Sequence, residues 1–138
     1  MALVDANGLP IAVSVHSAQP HEVKLAFDLV QGCWTDELPE RVIGDKAFDS
    51  DALDEEMDEC GVEMIAPHRK NRKPQNKTQD GCPLRRYKRR WKVERFFAWL
   101  QNFRRLVTRW DRKVEHFAGF VQLATIVILV RNGYRARF

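Results

Sequence analysis

The chain has 138 residues, 44% of them hydrophobic and 30% charged, with a formal net charge of +4; this is one domain's worth of chain, with apolar material for a single core. Its three cysteines, Cys33, Cys60 and Cys82, form no CxxC pair, which excludes a zinc ribbon or disulfide framework and fits a reducing cytoplasm. Charge divides sharply along the chain: residues 1–66 hold 3 Lys/Arg against 15 Asp/Glu, a net of −12, whereas residues 67–138 hold 20 against 4, a net of +16, a balance that favours a polyanion partner over a merely solvated face.

The opening "MALVDANGLP" lacks the basic-then-apolar pattern of a signal peptide. "LVDANGLPIAVSV" reads as a β-hairpin, with Asn7-Gly8 supplying two φ > 0 residues between β-branched flanks. Asp5 belongs to that turn, where Asp is favoured for its local hydrogen bonds. "PHEVKLAFDLVQG" starts at Pro20, stops at Gly32 and places Val23, Ala26, Phe27 and Val30 on one helical face. "RVIGD" (41–45) reads as a strand ending at Gly44-Asp45. The following "SDALDEEMDECG" is expected to be a helix capped by Asp49 or Ser50, with Leu53, Met57 and Cys60 inward and Gly61 as its stop. "VEMIAP" is a further strand, ended by Pro67.

Residues 67–86 turn basic, polar and turn-rich, and are expected to form a mobile loop. "YKRRWKVERFFAWLQNFRRL" (87–106) then predicts one helix with an apolar stripe of Val93, Phe96, Phe97, Leu100 and Phe103. At about 100° per residue, Tyr87, Arg90, Glu94 and Gln101 share roughly one sixth of its circumference. That row flanks the stripe, so the lone acid of this stretch is expected at the core's edge. Either it is an ordinary surface ion pair with Arg90, or it is a carboxylate held ionised for a purpose. The final apolar run "FAGFVQLATIVILV" (117–130) is too short to span a bilayer and reads as a buried helix, so no membrane is expected. Hairpin, helix, strand, helix, strand, loop, helix, helix is an α/β layer order, with helices on a mixed sheet.

Asp45 stands at a strand end, where open α/β sheets place their ligands, although acids there also serve as plain caps. Asp45 and Glu94 together make part of a hard-cation site of the kind that holds Mg²⁺ with substrate phosphates. Beside a basic loop and helix, this suggests phosphodiester chemistry on nucleic acid.

Tyr87, Arg90 and Glu94 in the pattern Y-x2-R-x3-E, "GDKAFDSDAL" around Asp45, "ERFFAWLQNFRRL" and "TRW" together resemble the DDE transposases of bacterial insertion sequences. The resemblance runs from "VDANGLPIAV" to the last helix. It implies a ribonuclease H-like fold, in which three acids bind two divalent metals (Mg²⁺ or Mn²⁺) and cut and join DNA strands. Asp45 resembles the second acid and Glu94 the third, both as metal ligands. Tyr87 and Arg90 match residues that hold DNA phosphates, and Arg69, Lys70, Arg72, Lys73, Arg85, Arg86, Lys88 and Arg89 would supply the salt-dependent grip. Two positions depart from the pattern. Gln101 replaces a lysine and brings no charge, and Phe48 replaces a tyrosine and loses a hydroxyl. Trp91 and Trp99 are either base-stacking platforms or core.

In the family the first acid lies on a strand that precedes the hairpin, and this sequence begins at the hairpin. Residues 1–138 are therefore expected to be the C-terminal part of a catalytic domain with an incomplete sheet, inactive alone. Such a chain arises as a second reading frame joined to an upstream polypeptide, or as a relic. The implied partners are transposon-end and target DNA, that upstream-frame polypeptide and further copies in a homo-oligomer. The implied location is cytoplasmic and nucleoid-associated. A non-catalytic DNA-binding or inhibitory transposase fragment, and a nuclease of the same fold, are the rival readings.

Overall fold

The computed structural model describes residues 1–17, 20–76 and 81–133. In chain order the elements are β1 (Ala2–Val4), β2 (Pro10–Val13), α1 (Glu22–Gln31), β3 (Arg41–Ile43), a 3-10 turn (Lys46–Phe48), α2 (Asp51–Glu59), β4 (Glu63–Ile65), a 3-10 turn (Pro74–Asn76), α3 (Gly81–Leu84), a 3-10 helix (Arg85–Arg90), α4 (Trp91–Leu100), α5 (Arg104–Val107) and α6 (Val114–Gly133). This is the mixed α/β order expected from the sequence. The chain forms two compact units, one from residues 1–18 with 91–138 and one from residues 19–90.

In the first unit β1 and β2 pair antiparallel, with Ala2 opposite Val13 and a register shift between Leu3 and Val4. The turn differs from the expected two-residue form: only Gly8 has positive φ, at 82°, and Asn7 does not. Asp5 closes a longer turn instead. Its Oδ1 accepts the Asn7 and Leu9 amides, each at 2.8 Å, and its backbone amide reaches the Leu9 carbonyl at 2.8 Å. Phe96 and Leu100 of α4 bury against Ala124 and Ile128 of α6, with Val4, Val13, Trp99 and Phe103 around them. Side chains of this size contribute about 1.5–3 kcal/mol each when fully buried.

Four further expectations about this unit change. The helix drawn from 87 to 106 is interrupted: the α-helix starts at Trp91 and stops at Leu100, with 3-10 turns before it. Phe97, placed on the apolar stripe, is 42% exposed, and Glu94 is exposed instead of edging the core. The last helix is longer than its apolar run, and its 20 residues are long and apolar enough to cross a membrane, a test that a core helix also passes. It buries one face only, Val121, Ala124, Thr125 and Ile128, while Leu123, Ile126 and Val130 stay exposed. The buried Thr125 hydroxyl donates to the Val121 carbonyl one turn back, at 2.7 Å.

In the second unit β3 and β4 pair parallel, in the register Arg41–Glu63, Val42–Met64 and Ile43–Ile65. The α2 crossover between them ends at Gly61, whose φ of 74° suits glycine. Ala26, Leu29 and Val30 of α1, Leu53 and Met57 of α2, and Val42, Val62 and Ile65 are the buried core residues. Leu29 joins the expected α1 face. Cys60, expected inward, is exposed at the end of α2, where the chain has already left helical periodicity. Residues 77–80, the middle of the expected loop, lie outside the described residues. Residues 67–73 form a loop as expected, whereas 74–76 and 81–90 are 3-10 and helical turns.

Candidate functional site

The second unit builds its site around the end of β3. The Gly44 amide continues the strand ladder by donating to the Ile65 carbonyl at 3.0 Å. A Cβ on Gly44 would lie 2.5 Å from Met64 Cε and 2.9 Å from Phe48 Cδ2, so glycine lets Phe48 fold back over the strand end. Asp45 then caps the Lys46–Phe48 turn, its Oδ1 accepting the Ala47 amide at 2.7 Å. Its Oδ2 lies 3.5 Å from Arg90 Nη1, with the two side chains 42% and 35% exposed. The Arg90 guanidinium in turn lies over the Tyr87 ring, 5.6 Å from its centre. Three sequence-selected residues, Asp45, Tyr87 and Arg90, are thus brought together.

Glu94 belongs to the first unit, in the first turn of α4, where the helix dipole favours a carboxylate. The polar row from Tyr87 to Gln101 does not form as drawn. Tyr87 and Arg90 lie three apart on a 3-10 helix, so they eclipse, and Gln101 follows the end of α4.

The basic side chains divide into two groups. Lys70, Lys73, Arg85, Arg86, Lys88 and Arg89 are exposed. Arg69 and Arg72 have tasks inside the unit. Arg69 donates from Nε to the Lys46 carbonyl at 3.1 Å and from Nη2 to the Ala47 carbonyl at 3.0 Å. Arg72 pairs with Asp49 at 2.6 Å and also with Asp51.

Asp49 and His68 are the residues that sequence reasoning passed over. Asp49, one of the two expected caps of α2, has a side chain 3% exposed. Its Oδ1 meets His68 Nδ1 at 2.8 Å and its Oδ2 accepts the Arg69 amide at 2.7 Å. Burial pulls the Asp49 carboxyl upward, but the Arg69 amide, the His68 ring and the Arg72 charge outweigh it and hold the carboxyl below its ordinary range. Ser50 is the residue at the α2 cap position, without a side-chain capping bond.

Trp91, 51% exposed, and Trp99 both meet Arg95. The Arg95 guanidinium lies 4.9 Å from the Trp91 ring centre and 5.0 Å from that of Trp99, a cation–π bracket. Arg95 also donates to the Asn7 carbonyl, and Lys92 to that of Ala6, so α4 holds the hairpin turn.

Among the described residues no group of three His, Cys, Asp or Glu is placed to hold a metal. A hard ion that keeps its waters and substrate phosphates needs only one or two carboxylates from the protein. Asp45 keeps one oxygen outside its cap, and a guanidinium already stands beside that oxygen.

The family described as "Transposase DDE domain" matches residues 1–130. The chain belongs to this DDE transposase family. It is 30% identical over 134 residues to the protein named "Putative transposase for insertion sequence element IS402" of Burkholderia cepacia, a match covering 91% of this chain and 59% of that protein. It is 30% identical over 130 residues to "Putative transposase for insertion sequence element IS6501" of Brucella ovis, covering 94% of this chain and 95% of that protein. The chain thus spans about three fifths of the first relative and nearly all of the second. No solved structure matches it. DDE transposases of insertion sequences act on DNA and generally use divalent metal ions.

Proposed function

We propose that residues 1–138 are the C-terminal part of the catalytic domain of an insertion-sequence transposase, a metal-dependent polynucleotidyl transferase, supplying Asp45 and Glu94 as two of its three metal-binding acids. The observation that carries this is Asp45 at the end of β3, with one oxygen fixed in a cap and the other facing the Tyr87-supported Arg90. The sheet of the complete enzyme is ribonuclease H-like. An antiparallel pair and a parallel pair support this, each open among the described residues at an edge that a further strand can extend. An upstream-frame polypeptide bearing the first acid is the natural donor of such a strand.

Asp45 and Glu94 would hold Mg²⁺ or Mn²⁺, which would supply charge neutralisation for phosphodiester cleavage and strand transfer. Arg90 directs a phosphate oxygen beside Asp45, and the Tyr87 ring limits where its guanidinium can go. Lys70, Lys73, Arg85, Arg86, Lys88 and Arg89 hold the backbones of transposon-end and target DNA, sequence-independently. The complete enzyme works as a homo-oligomer on nucleoid DNA in the cytoplasm.

The deciding experiment is Glu94→Gln in a complete, active transposase. Mg²⁺-dependent strand cleavage is expected to vanish while a gel shift of end DNA is kept. Surviving cleavage would make Glu94 a structural residue and remove it from the site. A chain that shifts DNA with or without Mg²⁺ and never nicks it, even when joined to its upstream partner, would instead be a non-catalytic binder.

A further inference from the structure

Resting on the reading of Asp45 as a metal ligand, we infer that Arg69 is a positioning residue for Asp45, acting through a single peptide unit. The Lys46–Ala47 peptide presents its N–H to Asp45 Oδ1 at 2.7 Å and its C=O to Arg69 Nε at 3.1 Å. A trans peptide is planar, so its N–H and C=O point in opposed directions and turn together. Fixing the carbonyl therefore fixes the amide that holds the carboxylate. Arg69 grips this turn twice, since its Nη2 also binds the next carbonyl, that of Ala47. The forked guanidinium is suited to two such bonds at once, and a lysine ammonium on a flexible stem is not.

Arg69 is itself held from behind. Its amide donates to Asp49 Oδ2, and the same carboxylate is gripped by His68 and Arg72. Asp49 also ends the turn that Asp45 begins, its amide donating to the Lys46 carbonyl at 3.4 Å. The segment after β4 is thus clamped to the turn after β3 by an acid with 3% side-chain exposure. Outer partners that orient a ligating carboxylate typically change metal affinity by about 10–100-fold when altered. Sequence reasoning gave Arg69 to DNA. The geometry spends its Nε–H and an Nη2–H on this chain's own carbonyls.

The test uses the full chain, Mn²⁺ as probe, and backbone amide NMR with the thermal midpoint as a fold control. Arg69→Lys keeps the charge and removes the fork. It is expected to shift the Ala47 amide proton upfield and to weaken Mn²⁺-induced broadening around Asp45 by about tenfold, with the midpoint little changed. Asp45→Asn is expected to abolish that broadening. If Arg69→Lys binds Mn²⁺ within twofold of the parent while Asp45→Asn does not bind it, the positioning role is overturned and the metal reading stands. If Asp45→Asn broadens like the parent, the metal reading fails and the inference falls with it. Should Arg69→Lys fail to fold, hydrogen exchange of the parent chain decides: a protected Ala47 amide supports the clamp, and one exchanging at the free-peptide rate overturns it.

Discussion

Asp49 shows how one buried side chain ties acidity to stability. Its carboxyl is held below the ordinary value of about 3.9. Burial opposes this, and the Arg69 amide, His68 and Arg72 overcome it. A depressed folded-state value means that the unfolded chain takes up the proton first. The stabilisation is therefore complete above about pH 4 and disappears as pH falls through the lower folded value. Asp54 works in the opposite direction: burial, then the neighbouring Asp51 charge, raises its carboxyl, so falling pH relieves it. Asp49→Asn leaves His68 and Arg72 facing a neutral amide and is expected to cost about 1–3 kcal/mol at pH 7. Urea unfolding of parent and variant should show that gap shrinking as pH falls below about 4. An equal gap at pH 7 and pH 3 would mean that the carboxylate charge is not what matters. None of this was legible in the sequence, because Asp49 and His68 stand 19 residues apart and meet only once β3 and β4 pair in parallel.

At the scale of elements, α4 depends on a bracket that periodicity half reveals. Trp91, Arg95 and Trp99 are spaced four apart, so the sequence places them on one helical face. It does not say that the guanidinium lies against both rings, or that it reaches the Asn7 carbonyl in the hairpin turn. Arg95→Ala is expected to destabilise the chain by about 1–3 kcal/mol, from two lost cation–π contacts and an unmet carbonyl. Tryptophan emission should shift to the red as the rings take up water. Arg95→Lys should recover only part of the loss, since an ammonium does not stack between two planes. A stability unchanged by Arg95→Ala would show that the hairpin docks through Phe96 and Leu100 alone. The same helix shows where sequence patterning stops. The hairpin, α1, β3, α2 and β4 announce themselves by turn residues and alternation. The change from 3-10 to α-helix at Trp91 falls in "YKRRWK", where no Gly, Pro or capping residue marks it. The apolar run in α6 carries so few polar residues that it reads as buried all round, yet only one face packs.

For the whole molecule, the division of charge along the chain favours a polyanion partner, and the structure sorts which cations would be available to it. Among the described residues each unit holds a two-stranded sheet, below the three strands that an independently stable sheet usually needs, so its stability rests on helix packing and on interactions such as the Asp49 cluster. Cations spent there have fewer donors left for phosphate. Arg72 pairs with Asp49 and Asp51, whereas Arg85, Arg86, Lys88 and Arg89 project from the 3-10 helix into solvent. On the proposed reading, the net negative stretch before residue 67 would disfavour a phosphate backbone and leave DNA to the basic stretch. Removing an exposed cation should therefore flatten the salt dependence of DNA binding, and removing a committed one should act on stability. In the full chain, each of Arg85→Ala, Arg86→Ala, Lys88→Ala and Arg89→Ala that loses a phosphate contact is expected to lower the slope of log K against log salt by about 0.9 for duplex DNA. Their unfolding midpoints should stay close to the parent's, because substitutions of exposed side chains usually change stability by no more than about 0.5 kcal/mol. Arg72→Ala should do the reverse, lowering the midpoint by leaving Asp49 short of a partner and leaving the slope nearly unchanged. Fluorescence anisotropy of a labelled duplex across a salt series, beside thermal unfolding of the same variants, reads both quantities. If Arg72→Ala lowered the slope as much as Arg89→Ala does, the carboxylates would not be holding that guanidinium back from DNA.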